Sequence, residues 1–106
     1  MNARIRTILA ELRSRFEDLY GDRLVKLILY GSQARSDAEP DSDIDVLVVL
    51  RGEVAPGQEI ERTGDFVSEV SLAHQAVVSC VFVSEERYRS EWTPLLSSVR
   101  REGVPV

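Results

Sequence analysis

Between Ala3 and Tyr20, apolar residues recur at Ile5, Ile8, Leu9, Leu12, Phe16, Leu19 and Tyr20. That three-and-four spacing predicts a helix with one buried stripe, ended by Gly21 and Asp22. Leu24–Tyr30 is a mostly apolar, β-favouring run closed by Gly31, which predicts a largely buried strand. Residues 32–42 (SQARSDAEPDS) are small, polar and acidic, and Pro40 opposes a long helix, so a short helical turn and a loop are expected there. A second strand is predicted over Ile44–Leu50. From Gln58 to about His74 the positions Ile60, Phe66, Val67, Val70 and Ala73 predict a second amphipathic helix, weakened by Gly64 at a cost of about 1 kcal/mol against alanine. Ala76–Val83, nearly all β-branched or apolar, predicts a third strand. Ser84 is expected to cap a short turn opening with Glu85 and Glu86. Thr93 caps a last predicted helix with Pro94 at its first position, Leu95, Leu96 and Val99 on its apolar side, Arg100 and Arg101 near its end and Gly103 beyond. This order predicts an α/β (α+β) two-layer sandwich, a small mixed sheet covered on one face by helices, with the other face partly open.

The chain has 106 residues, too few for two ordinary domains, and residues 1–106 are expected to form a single domain. No apolar run approaches the roughly 20 residues needed to cross a bilayer, and no secretory signal is visible, so a cytoplasmic protein without membrane partners is expected. One cysteine, Cys80, precludes an internal disulfide, and Cys80 with the single His74 cannot build a Cys/His zinc site. Thirteen Lys and Arg against 18 Asp and Glu leave a net charge of −5, which argues against general nucleic-acid binding.

The candidate chemistry lies between the first two strands. Gly31 and Ser32 follow the first strand directly; glycine admits a ligand close to the backbone, and the turn after it offers N–H groups and a hydroxyl to a phosphate. Asp43 and Asp45 open the second strand two residues apart, so both carboxylates share one side, their Cα atoms about 6–7 Å apart. If the two strands are neighbours, the carboxylates stand beside the phosphate cradle, where Mg²⁺, a hard ion that shares its shell with substrate phosphates, suits them.

This pattern, Gly31-Ser32, a ten-residue spacer, then Asp43-Ile44-Asp45, flanked by Ala34-Arg35 and Ser42, resembles the polymerase-beta-like nucleotidyltransferase superfamily. Within it the chain is similar to the small stand-alone minimal nucleotidyltransferases of antitoxin type. The resemblance implies a nucleotidyltransferase-like fold, with Gly31 and Ser32 holding a nucleotide triphosphate, Asp43 and Asp45 binding magnesium, and Arg35 lying near the phosphates or bracing the acidic loop. The implied reaction moves a nucleoside monophosphate from a triphosphate, ATP foremost, to an acceptor hydroxyl, on a partner protein or elsewhere, and releases pyrophosphate.

Two departures from the family pattern stand out. Ser36 occupies the usual place of a second glycine. Catalytic members carry a third carboxylate on the third strand, whereas Val77–Val83 holds none, and Ser79 is the matching position. A neutral serine is a poor base and a weak ligand for a hard cation. The resemblance therefore supports two readings: a transferase, or an inactive antitoxin-like binding module that works through a helical HEPN-type partner. In either case a homo-oligomer or hetero-complex is expected, because no acceptor-binding domain accompanies the site. Elsewhere, His74 reads as a helix-terminal residue, Cys80 as a small core hydrophobe, and Tyr88 and Trp92 as packing of the C-terminal part against the core.

Overall fold

The computed structural model describes residues 2–35, 39 and 42–106. Helix α1 (Ala3–Tyr20) leads through a 3₁₀ turn (Gly21–Arg23) into β1 (Leu24–Tyr30), α2 (Ser32–Arg35) and β2 (Ile44–Leu50). Then come α3 (Pro56–His74), β3 (Val78–Ser84), α4 (Glu85–Ser90), α5 (Pro94–Glu102) and β4 (Val104–Pro105). Predicted elements recur within two residues of their expected bounds. The added strand β4 is too short to leave a pattern.

The sheet order is β3-β2-β1-β4, with β1 antiparallel to β2 and β4, and β2 parallel to β3. A parallel pair needs a long return path, and α3 supplies it. Strand parity then sorts the core. Ile44, Val46, Val48 and Leu50 of β2 face α1 and α3, together with Leu27, Leu29 and Phe82. Phe16 of α1 sits fully buried in that layer, edge-on to Phe66 at 5.1 Å and to Phe82 at 6.2 Å. Leu47 and Val49 point the other way and meet Leu96 and Val99 of α5. The second face is thus roofed over part of its area by α5, and the rest stays open.

Local capping follows the sequence. The side chains of Asn2, Ser84 and Thr93 accept hydrogen bonds from the N–H groups of Ile5, Arg87 and Leu96 at the starts of α1, α4 and α5. His74 lies at the end of α3, with Nε2 3.0 Å from Glu11 Oε2. Among the described residues no helix is long and apolar enough to cross a membrane.

Expectations about packing are corrected at Leu19, Ile60, Ala73, Trp92 and Leu95, all of them exposed. Ile60 is 55% exposed, and its neighbour Glu59 is buried instead, together with Thr63. Glu59 Oε1 accepts from Tyr20 Oη at 2.6 Å and from Arg62 Nη1 at 3.1 Å, so the carboxylate is paid for by donors that periodicity cannot reveal. Burial, reinforced by Glu59, pushes the Tyr20 phenol well above its ordinary range. Trp92 is 72% exposed rather than packed on the core, because the Arg100 guanidinium covers its ring at 4.4 Å.

α5 is seated through Gly103. A Cβ there would press on the Val99 carbonyl oxygen and come within 2.6 Å of Ile28 Cγ2. Gly103→Ala is therefore expected to destabilise the fold by about 1–3 kcal/mol, read as a lower urea midpoint at unchanged slope.

Candidate functional site

The site forms where β1 ends and β2 begins. Tyr30 pairs with Asp45 across the antiparallel ladder, so Gly31 follows immediately beside that carboxylate. Gly31 has φ +76°, a left-handed conformation that costs other residues about 1–2 kcal/mol. A Cβ on Gly31 would lie 2.6 Å from Asp45 Oδ2. The bare glycine is thus required twice, by the turn and by the carboxylate packed against it.

Strand alternation puts Asp45 on the face of Leu47 and Val49, the face that α5 roofs only in part. Asp45 is half-buried, and Asp43, just before β2, is exposed. Burial raises the Asp45 carboxyl above its ordinary value of 3.8, and the nearby Asp43 charge raises it further. Burial and the Asp45 charge likewise raise the Tyr30 phenol. Two like charges therefore gather at one spot.

Around them, α2 begins at Ser32, which is half-buried, and the N–H groups of Ala34 and Arg35 return to the Gly31 carbonyl at 3.1 and 3.2 Å. Gln33 Nε2 donates to the Ser42 carbonyl at 3.2 Å and ties α2 to the approach to β2. Sequence reasoning passed over Gln33, since a side chain reaching across a loop leaves no periodic trace. Arg35 Nη1 meets Glu102 Oε2 at 3.0 Å, which links α2 to the end of α5. Asp37 and Asp41 of the acidic loop that Arg35 is expected to brace lie outside the described residues, as do Ser36 and Pro40.

β3 completes the surroundings. Ser79 is the in-register parallel partner of Asp45, and its parity places it on the same face. Cys80 points to the opposite layer, where burial pushes its thiol up to about 12, in keeping with a core hydrophobe. Among the described residues no group of three or more His, Cys, Asp or Glu side chains forms a metal-ligating cluster. The acidic constellation is the pair Asp43 and Asp45, an all-oxygen donor set with its remaining positions open to a ligand.

The sequence profile of the family described as nucleotidyltransferase domain matches residues 5–102, and the chain belongs to that family. The Methanocaldococcus jannaschii protein named "Putative protein adenylyltransferase MJ0141" is 27% identical over 99 residues, covering 93% of this chain and 95% of that protein. A solved structure of a "putative minimal nucleotidyltransferase" is 28% identical with a TM-score of 0.53, covering 92% of this chain and 95% of the other. Similar in fold is a chain from a toxin–antitoxin complex crystallised with AMP-PNP, at a TM-score of 0.65, 20% identity and coverages of 91% and 69%. So is a chain from the Shewanella oneidensis complex of a tri-AMPylated HEPN toxin with an MNT antitoxin, at a TM-score of 0.57, 20% identity and coverages of 96% and 67%.

The carboxylate pair has a titration signature. Because folding raises the Asp45 pKa, the native state holds that proton more tightly, and stability falls as pH climbs from 3.8 toward the native value. Asp43→Asn is expected to lower the Asp45 titration midpoint, followed by carboxyl ¹³C shifts in metal-free buffer, and to flatten that slope.

Proposed function

We propose that the chain, as one domain, is a magnesium-dependent nucleotidyltransferase that moves a nucleoside monophosphate from a triphosphate, ATP foremost, to a hydroxyl on a partner protein. The observation that carries this reading is the packing of Asp45 against side-chain-free Gly31, with Asp43 on the same side. Asp43 and Asp45 would hold the ion. Their fit rests on the donor chemistry: two hard oxygens, mutually repelling and partly desolvated, which a divalent cation relieves. A bound Mg²⁺ supplies charge neutralisation on the triphosphate.

The chain's own residues do the positioning, which dominates phosphoryl transfer. Gly31 lets the Asp45 carboxylate sit against the backbone at the turn, and Ser32 offers the triphosphate a hydroxyl and an N–H at the first turn of α2. Arg35 braces the rim through Glu102 and adds positive charge near the phosphates. In the transfer the acceptor oxygen bonds to the α-phosphorus, the α–β bridging bond breaks, and pyrophosphate departs. The acceptor proton is released to solvent water, because the Ser79 hydroxyl beside Asp45 is neutral near pH 7 and takes up no proton. The name of the MJ0141 relative and the AMPylated toxin in the Shewanella complex support a protein acceptor.

Ser79 favours a second reading, in which the domain binds nucleotide and a helical HEPN-type partner, or a second copy of itself, without efficient turnover. The AMP-PNP-bound toxin–antitoxin complex supports nucleotide binding under both readings.

Calorimetry is expected to show AMP-PNP binding that needs Mg²⁺ and is lost in Asp43→Asn/Asp45→Asn; unchanged affinity in the double variant rejects both readings. Labelled ATP with a co-purified partner separates them, since transfer of label to the partner marks the enzyme. Ser79→Asp restores a carboxylate beside Asp45 and is expected to raise the transfer rate by about 10²–10⁴-fold, the range of a placed general base.

A further inference from the structure

At the outer edge of β1, away from the carboxylates, a recess of about 370 Å³ opens between Lys26, Tyr88, Arg100 and Arg13. In a chain of net charge −5, every charged side chain lining it among the described residues is basic, and the three come from separate elements, α1, β1 and α5. Arg13 is engaged by Glu17 at 2.7 Å and donates to the Val106 carbonyl. Lys26 and Arg100 make no ion pair among the described residues. Both lie instead against the Tyr88 ring, Lys26 Nζ at 5.6 Å and Arg100 Cζ at 5.3 Å from its centroid. Arg100 Nη2 donates to the Tyr88 carbonyl, but Nη1 is shielded from solvent and has no acceptor. Ring faces orient a guanidinium without satisfying its in-plane N–H groups, so the Arg100 guanidinium is held at the recess with one N–H group unsatisfied.

We propose that this recess binds a carboxylate side chain presented by a partner protein, its oxygens shared between Arg100 and Lys26. A planar guanidinium matches a carboxylate, and partial burial strengthens the match. Two neighbouring features favour a protein over a polyanion. β4 pairs with β1 only at Ile28 and Leu29, and the Val106 N–H reaches Leu27, so among the described residues no strand covers the outer side of Leu24–Lys26. An extended segment can therefore lie along that edge with its acid over Lys26. Exposed Trp92, covered on one side by Arg100, adds apolar surface of the kind protein partners cover. The recess shares the carboxylate-bearing face of the sheet, and Lys26 lies about 13 Å along β1 from Tyr30 by the strand rise. The proposal itself does not depend on the transferase reading.

The test titrates ¹⁵N-labelled protein with a blocked tetraglutamate peptide. Saturable shifts confined to Lys26, Tyr88 and the Arg100 Nε–H are expected. Lys26→Gln, at an exposed position, should weaken binding about tenfold, and Arg100→Gln should abolish it. Asp43→Asn/Asp45→Asn should leave peptide binding intact, which keeps failure here separate from failure at the nucleotide site. Diffuse, non-saturating shifts, or wild-type affinity in Lys26→Gln, overturn the proposal. Tighter binding of inorganic phosphate or of a single-stranded oligonucleotide at the same residues overturns the assignment to a protein carboxylate.

Discussion

Asp45 stands where a side chain on residue 31 would have to be. Of the seven residues of β2 it alone is not fully buried, and its carboxylate rests against the bare Cα of Gly31. Everything proposed for the site follows from that exclusion. The antiparallel register fixes Tyr30 opposite Asp45, the left-handed turn at Gly31 directs the chain away, and the space left over faces both acids. The core behind is rigid because β2 is packed on both faces, so the carboxylate has little freedom to relax from its partner's repulsion.

The arrangement is electrostatically unfavourable as it stands, which is a common mark of a binding site rather than of a stabilising one. Structural ion pairs elsewhere in the chain satisfy themselves: Arg15 with Glu69, Arg87 with Glu91, Arg89 with Glu85. Asp43 instead raises the Asp45 carboxyl through like-charge repulsion, next to the N–H groups at the start of α2.

How far the chain could be read without coordinates depended on whether each feature was local. β1, β2 and α1 follow from two-fold and 3.6-fold periodicities, and the caps at Ser84 and Thr93 from short-range chemistry. The shared side of Asp43 and Asp45 follows from parity alone, whereas Ser79 is marked by the family resemblance and its register beside Asp45 appears only in the sheet. What stayed hidden needed partners far along the chain. Glu59 displaces Ile60 from the interior because Tyr20, 39 residues away, supplies a donor. Arg35 finds Glu102 across 67 residues, and Trp92 stays at the surface under Arg100. A two-residue strand such as β4 carries no pattern to detect.

The unequal spacing of the strands bears on how the site comes together. Thirteen residues separate β1 from β2, whereas 27, including the whole of α3, separate β2 from its parallel neighbour β3. Closing the shorter loop costs less chain entropy, and parallel pairing across a crossover is slower. The hairpin-like half bearing the glycine turn and both acids can thus assemble first, with the serine-bearing strand docking afterwards. During synthesis the acidic mouth would take shape before the wall beside it arrives.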